Sequence, residues 1–180
     1  EAEGDNLTDL FFFTDKAQLY RARACDFDTC KASAMGDFIP AKLGFDPGEK
    51  PIYMKVGNDW GDESRMVFIF ANGKGLRVPQ SVYLTKGNRR KLTGAFSAAS
   101  PIVGIFEESD KPFDILLVTS NDRAAVISSS LIPIKTTRSS IGVQLVTLRG
   151  DTVISGAWRD FGDKFESTKA YKKIKFPATP

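Results

Sequence analysis

The sequence predicts an all-β chain built as a propeller-like array of repeated four-stranded blades, on three observations. Its apolar runs are short and dominated by Val, Ile, Phe and Thr, side chains that suit pleated, half-buried strands. Turn signals recur about every 8–12 residues, and no long amphipathic helical pattern interrupts them. One unit (apolar run, tight turn, short strand, basic loop) is repeated along the chain. Its clearest copies begin at Phe68 and Leu116, and a shift of 49 residues sets Asn72 on Asn121, Lys74 on Arg123, Lys86 on Lys135, Arg89 on Arg138 and Leu92 on Ile141. A third copy starts at Phe11. A period in the high forties is the length of a propeller-type blade. The blades fall near residues 9–56, 65–110 and 113–157, about three to four blades in one domain over 1–180, with a polar tail at 158–180.

Each element has a local reason. Asp9 to Phe13 is an aromatic run too short for a helix and is expected as a buried strand, with Thr14-Asp15-Lys16 as its turn. Residues 17–24 alternate, with arginines at 21 and 23, and read as the return strand. Asp46-Pro47-Gly48 is a turn in which Pro presets φ and Gly accepts a positive one. Pro51 to Val56 is a strand, and Gly57 to Glu63 a polar loop in which Trp60 is expected to be the most exposed aromatic. The second copy runs through Met66–Phe70, an Asn-Gly hairpin turn at 71–74, a return strand at 75–78, a basic loop at 85–91 and a closing strand at 101–106. In the third copy the corresponding stretches are 115–118, 124–128, 135–140 and 143–148. Tyr171 to Pro177 reads as either a last strand or a basic arm.

Composition narrows the function. The chain contains no histidine, which removes Ser-His-Asp, Cys-His and most zinc-hydrolase chemistry. Cys25 and Cys30, the two cysteines, are too few ligands for zinc and read as reduced side chains of a cytosolic protein. No cofactor is expected. No apolar run approaches the roughly 18 residues that a membrane helix needs. The first five residues have neither the charged nor the apolar stretch of a signal peptide and no initiator Met, which predicts a piece cut from a longer chain. The net charge of +3 hides an asymmetry: residues 1–64 carry 7 basic and 13 acidic side chains, residues 65–149 carry 12 and 5. A concentrated positive field over the two best-matched copies is what a polyanion partner requires.

The candidate anion-binding residues are therefore Lys86, Arg89, Arg90 and Lys91 in the second copy, Lys135 and Arg138 in the third, and Lys31 in the matching loop of the first. Turn-adjacent Lys74 and Arg123 are expected to flank them. Equivalent loops on successive blades would form a stripe able to follow a phosphate backbone. Nothing is arranged to read bases: no recognition helix is evident, and most of the 14 phenylalanines sit in core runs.

Phe12-Phe13-Thr14-Asp15-Lys16-Ala17-Gln18-Leu19-Tyr20-Arg21 resembles the blade-opening pattern of the C-terminal β-pinwheel domain found in the bacterial DNA gyrase A and topoisomerase IV A family. Residues 67–78 and 116–127 resemble later blades of that domain, and Lys135 to Val143 resembles the segment that follows a blade's second strand. The resemblance covers roughly residues 9–157. It implies a β-pinwheel whose blades exchange strands and whose basic rim binds and bends double-stranded DNA. It also implies a non-catalytic domain that works with the catalytic domain of its own polypeptide and with the separate ATPase B protein, in the bacterial cytoplasm at the nucleoid. The Gln- and Gly-rich basic box of true gyrases is absent here, which favours a topoisomerase IV-like or divergent role. No match for the catalytic tyrosine is found among Tyr20, Tyr53, Tyr83 and Tyr171. The rival expectation is a protein-binding scaffold, which predicts an exposed apolar patch involving Trp60, Phe161 and Phe165.

Overall fold

Three hairpins of one design form the frame of the protein, here in a computed structural model that describes residues 3–57, 60, 63–84, 89–159, 161–162 and 170–180. They join β1 (Asp9–Thr14) to β2 (Gln18–Arg23), β4 (Arg65–Phe70) to β5 (Lys74–Pro79), and β8 (Asp114–Thr119) to β9 (Ala124–Ser128). Each turn closes through one equivalent residue at positive φ: Ala17 (55°), Gly73 (78°) and Asp122 (58°). Their N–H groups donate to Thr14 O, Phe70 O and Thr119 O at 3.0–3.1 Å. Gly adopts this conformation freely, whereas Ala17 and Asp122 are held there against steric preference by the strands on either side.

Each hairpin gains a closing strand on its first member: β3 (Pro51–Val56) on β1, β7 (Ile102–Glu108) on β4 and β11 (Ile154–Trp158) on β8. The fourth strands are exchanged. β6 (Lys91–Thr93) follows the second hairpin in sequence but pairs with β2, and β10 (Val143–Gln144) follows the third hairpin but pairs with β5. The sheet orders are β3-β1-β2-β6, β10-β5-β4-β7 and β11-β8-β9. This is the strand-exchanged, propeller-like all-β architecture that the sequence predicts.

The chain divides into two compact units. One comprises Glu1–Asp59 and Thr85–Phe96; the other comprises Trp60–Leu84 and Ser97–Pro180. In the first, Phe12, Tyr20 and Ala22 pack with Leu10, Phe27, Ile39, Leu43 and Phe45 on one face of the sheet. In the second, Val67 and Ile69 of β4 pack with Ile115, Leu117 and Ile127 of the third hairpin and with Ile132, Leu145 and Val146 from the segment between β9 and β11.

Four details differ from the sequence reading. Trp60 is buried at 5% exposure, its ring 5.5 Å from that of Tyr83, because an apolar ring is sequestered whatever the polarity of its sequence neighbours. The expected strand over 143–148 is regular only at Val143–Gln144. Leu19 and Gly75 hold the same place relative to their turns, and they pair with Leu92 and Val143; the match to Leu92 is therefore Val143, two residues beyond Ile141. The loop after the third hairpin is longer by those two residues. Finally, Ile39–Leu43 forms one helical turn, α1, stopped by Gly44 at a φ of 64°; it is too short to leave a periodic signal.

Candidate nucleic-acid interface

A grouping of arginines lines one cleft in the first unit. On β2, Arg21 and Arg23 project to one face because strand side chains alternate. The exchanged strand brings a second pair beside them: the Arg21 N–H donates to Arg90 O at 2.8 Å, which fixes Arg89-Arg90 where β6 begins. Arg21, Arg23, Arg89 and Arg90 line a cleft of about 350 Å³ together with Asp9, Ala22, Cys25 and Asp26.

Charges in the cleft are unevenly committed. Asp9 is buried, and Arg21 neutralises it at 2.5 Å while its guanidinium sits 5.9 Å from the centre of the Phe11 ring. The Asp26 carboxylate accepts the backbone N–H of Arg23 at 2.9 Å, leaving the Arg23 guanidinium out of that bond. Arg89 and Arg90 are exposed. Four guanidinium groups against two carboxylates leave the cleft positive, and a planar guanidinium binds a phosphate through two parallel N–H bonds.

Lys91, expected to bind an anion, is already occupied. Its ammonium lies 2.9 and 3.0 Å from the two Asp46 oxygens and 5.3 Å from the Tyr20 ring centre. The Tyr20 hydroxyl and the Asp46 carboxylate both hold it protonated, raising its pKa. Asp46 is pushed below the usual range by the Gln18 amide, which donates at 2.7 Å, and by Lys91. Beneath them Glu49 is buried and accepts from the Thr14 hydroxyl, from the Tyr20 hydroxyl at 2.9 Å and from the Asp46 N–H at 2.9 Å. Burial raises the Tyr20 pKa, and the hydroxyl remains a donor to Glu49. Lys91 is thus a strut between the exchanged strand and the 45–50 turn.

In the second unit, Lys135 is exposed and its N–H donates to Arg77 O at 2.8 Å, while Arg138 is half-buried with its guanidinium 3.5 Å from Val82 O. Both lie near the C-terminal end of β5. Lys74 and Arg123 follow the hairpin turns, at the start of β5 and just before β9. Arg77 is buried against Glu108, donating from Nε at 3.0 Å and again from its second terminal nitrogen, and is structural. Lys31 is exposed in the 28–38 loop and does not line the arginine cleft. Lys86 lies outside the described residues. Sequence reasoning passed over Arg21 and Arg23, although their i, i+2 spacing on a predicted strand was the signal for a shared face.

Of the aromatics expected to mark a protein-binding patch, Trp60 and Phe161 are buried and Phe165 lies outside the described residues. An apolar groove does occur elsewhere in the first unit, lined by Phe38, Ile39, Pro40, Phe45, Pro47 and Pro51, with Phe38 74% exposed.

The family model of the DNA gyrase C-terminal domain, described as a beta-propeller, matches residues 8–36 and 114–156. Among solved structures, the C-terminal domain of DNA topoisomerase IV superposes with a TM-score of 0.72 at 22% identity, over 84% of this chain and 47% of that one. The C-terminal domain of E. coli ParC gives 0.64 at 15% identity, over 87% of this chain and 63% of that one. A DNA gyrase A C-terminal domain gives 0.55 at 15% identity, over 86% and 48%. The chain thus spans about half the length of two of these domains and shares their fold. No curated protein matches in sequence. The resemblance read from the blade motifs is borne out by the family model and by these neighbours.

Proposed function

We propose that the chain is a non-catalytic, DNA-holding domain belonging to the DNA-cleaving polypeptide of a type IIA topoisomerase. It grips duplex DNA by phosphate contacts and bends it for strand passage. The observation that carries this reading is the arginine cleft: the strand exchange of a topoisomerase-type pinwheel is what sets Arg89-Arg90 beside Arg21 and Arg23. Lys135 and Arg138 supply further phosphate contacts from the second unit, with Lys31, Lys74, Lys86 and Arg123 as outlying cations. Lys91 contributes chiefly by holding β6 in place. Grip by backbone contacts with little base readout suits a domain that must present any DNA segment. Its working partners are double-stranded DNA, the catalytic domain of the same polypeptide and the separate ATPase B protein, in the bacterial cytoplasm.

The test is titration of an end-labelled duplex of several helical turns, read by anisotropy for binding and by end-to-end energy transfer for bending. Parent protein that binds and shortens the end-to-end distance, with Arg89→Ala/Arg90→Ala weakened in both, is the expected result. Absence of binding at low salt would refute the proposal. It would favour the second reading, a protein-docking scaffold using the apolar groove beside Phe38.

A further inference from the structure

Two free cysteines are exposed, and the fold gives them different surroundings. Cys25 stands on the lip of the arginine cleft. The N–H groups of Ala24 and Cys25 donate to Thr8 O and Asn6 O, both at 2.9 Å, which fixes the short turn Ala24–Asp26 against residues 6–8. The thiol therefore shares a cleft of about 350 Å³ with Arg21, Arg23, Arg89 and Arg90, at the small end of the roughly 300–1,000 Å³ typical of small-ligand sites. Arg21 is committed to Asp9, while Arg23, Arg89 and Arg90 are exposed. Asp9 adds a second requirement. It is buried at 2% exposure and lines the same cleft, and its Oδ1 has no hydrogen-bond partner among the described residues. The cleft thus calls for a ligand with anionic groups for the arginines and an N–H donor for Asp9, beside a nucleophilic sulfur. Cys30 is also exposed, but it lies outside the cleft, in the 28–38 loop between Asp28 and Lys31.

We propose that Cys25 is a redox modification site for glutathione, a small anionic peptide thiol, held as a mixed disulfide with its carboxylates on Arg23, Arg89 and Arg90 and an N–H donor directed to Asp9. Glutathione carries two carboxylates, an ammonium and amide N–H groups around one thiol, which is the set of groups the cleft can take up. The step is thiol–disulfide exchange with oxidised glutathione. The Cys25 thiolate attacks one sulfur, an Sγ–S bond forms as the S–S bond breaks, and reduced glutathione leaves with the proton that Cys25 gave up. The disulfide is the oxidant: Cys25 is oxidised and one glutathione is reduced. The field of the arginines draws the anionic disulfide in and holds the product. One consequence rests on the DNA-holding role proposed for the cleft. The bound carboxylates occupy the guanidinium groups that would grip phosphate, so oxidation releases DNA and reduction restores the grip.

The test incubates the full chain with oxidised glutathione and follows adducts at Cys25 and Cys30 by peptide mass mapping. Cys25 should react about tenfold faster than Cys30, within the 10–1,000-fold acceleration that a charged cleft gives an oppositely charged reactant, and its lead should shrink as salt is raised. The neutral disulfide of 2-mercaptoethanol should show no such preference, and Arg23→Ala/Arg89→Ala/Arg90→Ala should lose it. Equal rates at the two cysteines, the same preference with the neutral disulfide, a preference that survives in the triple variant, or a Cys25–Cys30 disulfide as the product would overturn the proposal. In duplex titrations the adduct should weaken binding about tenfold, the loss of one charge-assisted contact. Dithiothreitol should restore binding, and Cys25→Ser should be indifferent to oxidised glutathione. An adduct that binds DNA as tightly as the parent would overturn the regulatory role. A parent that binds no DNA would sink the proposed function, and the mass ratios would still decide the modification site.

Discussion

Gly142 offers a direct probe of strand exchange. It precedes β10 with φ at +76°, and a Cβ built there falls 2.2 Å from Gly75 O and 2.7 Å from Gly75 C. Both atoms are backbone, so no side chain can swing aside to make room. Gly142→Ala therefore adds the cost of an alanine at positive φ, about 1–2 kcal/mol. It also displaces β10 from β5, where Val143 pairs with Gly75 and Gln144 with Lys74. Losing about two hydrogen bonds adds about 2 kcal/mol, for a total of about 3–4 kcal/mol. Gly150 is the control, because it has a φ of +57° with nothing within 4 Å of its added Cβ; Gly150→Ala should show the backbone cost alone. Urea denaturation of both variants, with hydrogen exchange followed at Gly75, separates the terms. Equal destabilisation by the two substitutions, or an unchanged Gly75 amide in Gly142→Ala, would refute the reasoning.

Two further predictions concern the charges. Glu108→Gln leaves the Arg77 guanidinium buried without its counter-charge and should cost about 3–5 kcal/mol, measured by urea denaturation; a loss below about 1 kcal/mol would contradict the structural role given to the pair. The second concerns Asp46, whose folded pKa is depressed by Gln18 and Lys91, so the stability it contributes is present above the ordinary aspartate value of about 3.9 and is lost as pH falls through the lower folded value. Asp46→Asn should accordingly be less stable than the parent at neutral pH and converge on it at the most acidic pH that both tolerate. A gap independent of pH would remove the ionic explanation.

Much of the frame was legible because its signals are local. Phe11, Phe12 and Phe13 on adjacent positions require a strand buried on both faces, and Asn72-Gly73 fixes a tight turn. What escaped was decided by contacts distant in sequence. The partner of Lys91 is Asp46, 45 residues earlier, brought near only because β6 crosses to the first sheet. The mismatch of Leu92 with Ile141 arose from a two-residue loop difference that repeated apolar residues cannot register. Arg21 and Arg23 were visible as an alternating pair on a strand, yet their membership of the cleft depends on where Arg90 is carried by the exchange. Trp60 misled because burial follows the ring's three-dimensional neighbours, here Tyr83.

Whether DNA is held at the arginine cleft is decided most sharply by the salt dependence of duplex binding, for the parent and for Arg23→Ala/Arg89→Ala/Arg90→Ala. Arg21 is left intact because it neutralises buried Asp9. Each phosphate neutralised contributes about −0.9 to the slope of log K against log salt. A steep slope is expected for the parent and one shallower by about 2–3 for the triple variant, with unchanged urea stability. A shallow parent slope, or a variant with the parent's slope, would contradict the arginine cleft as the place where DNA is held.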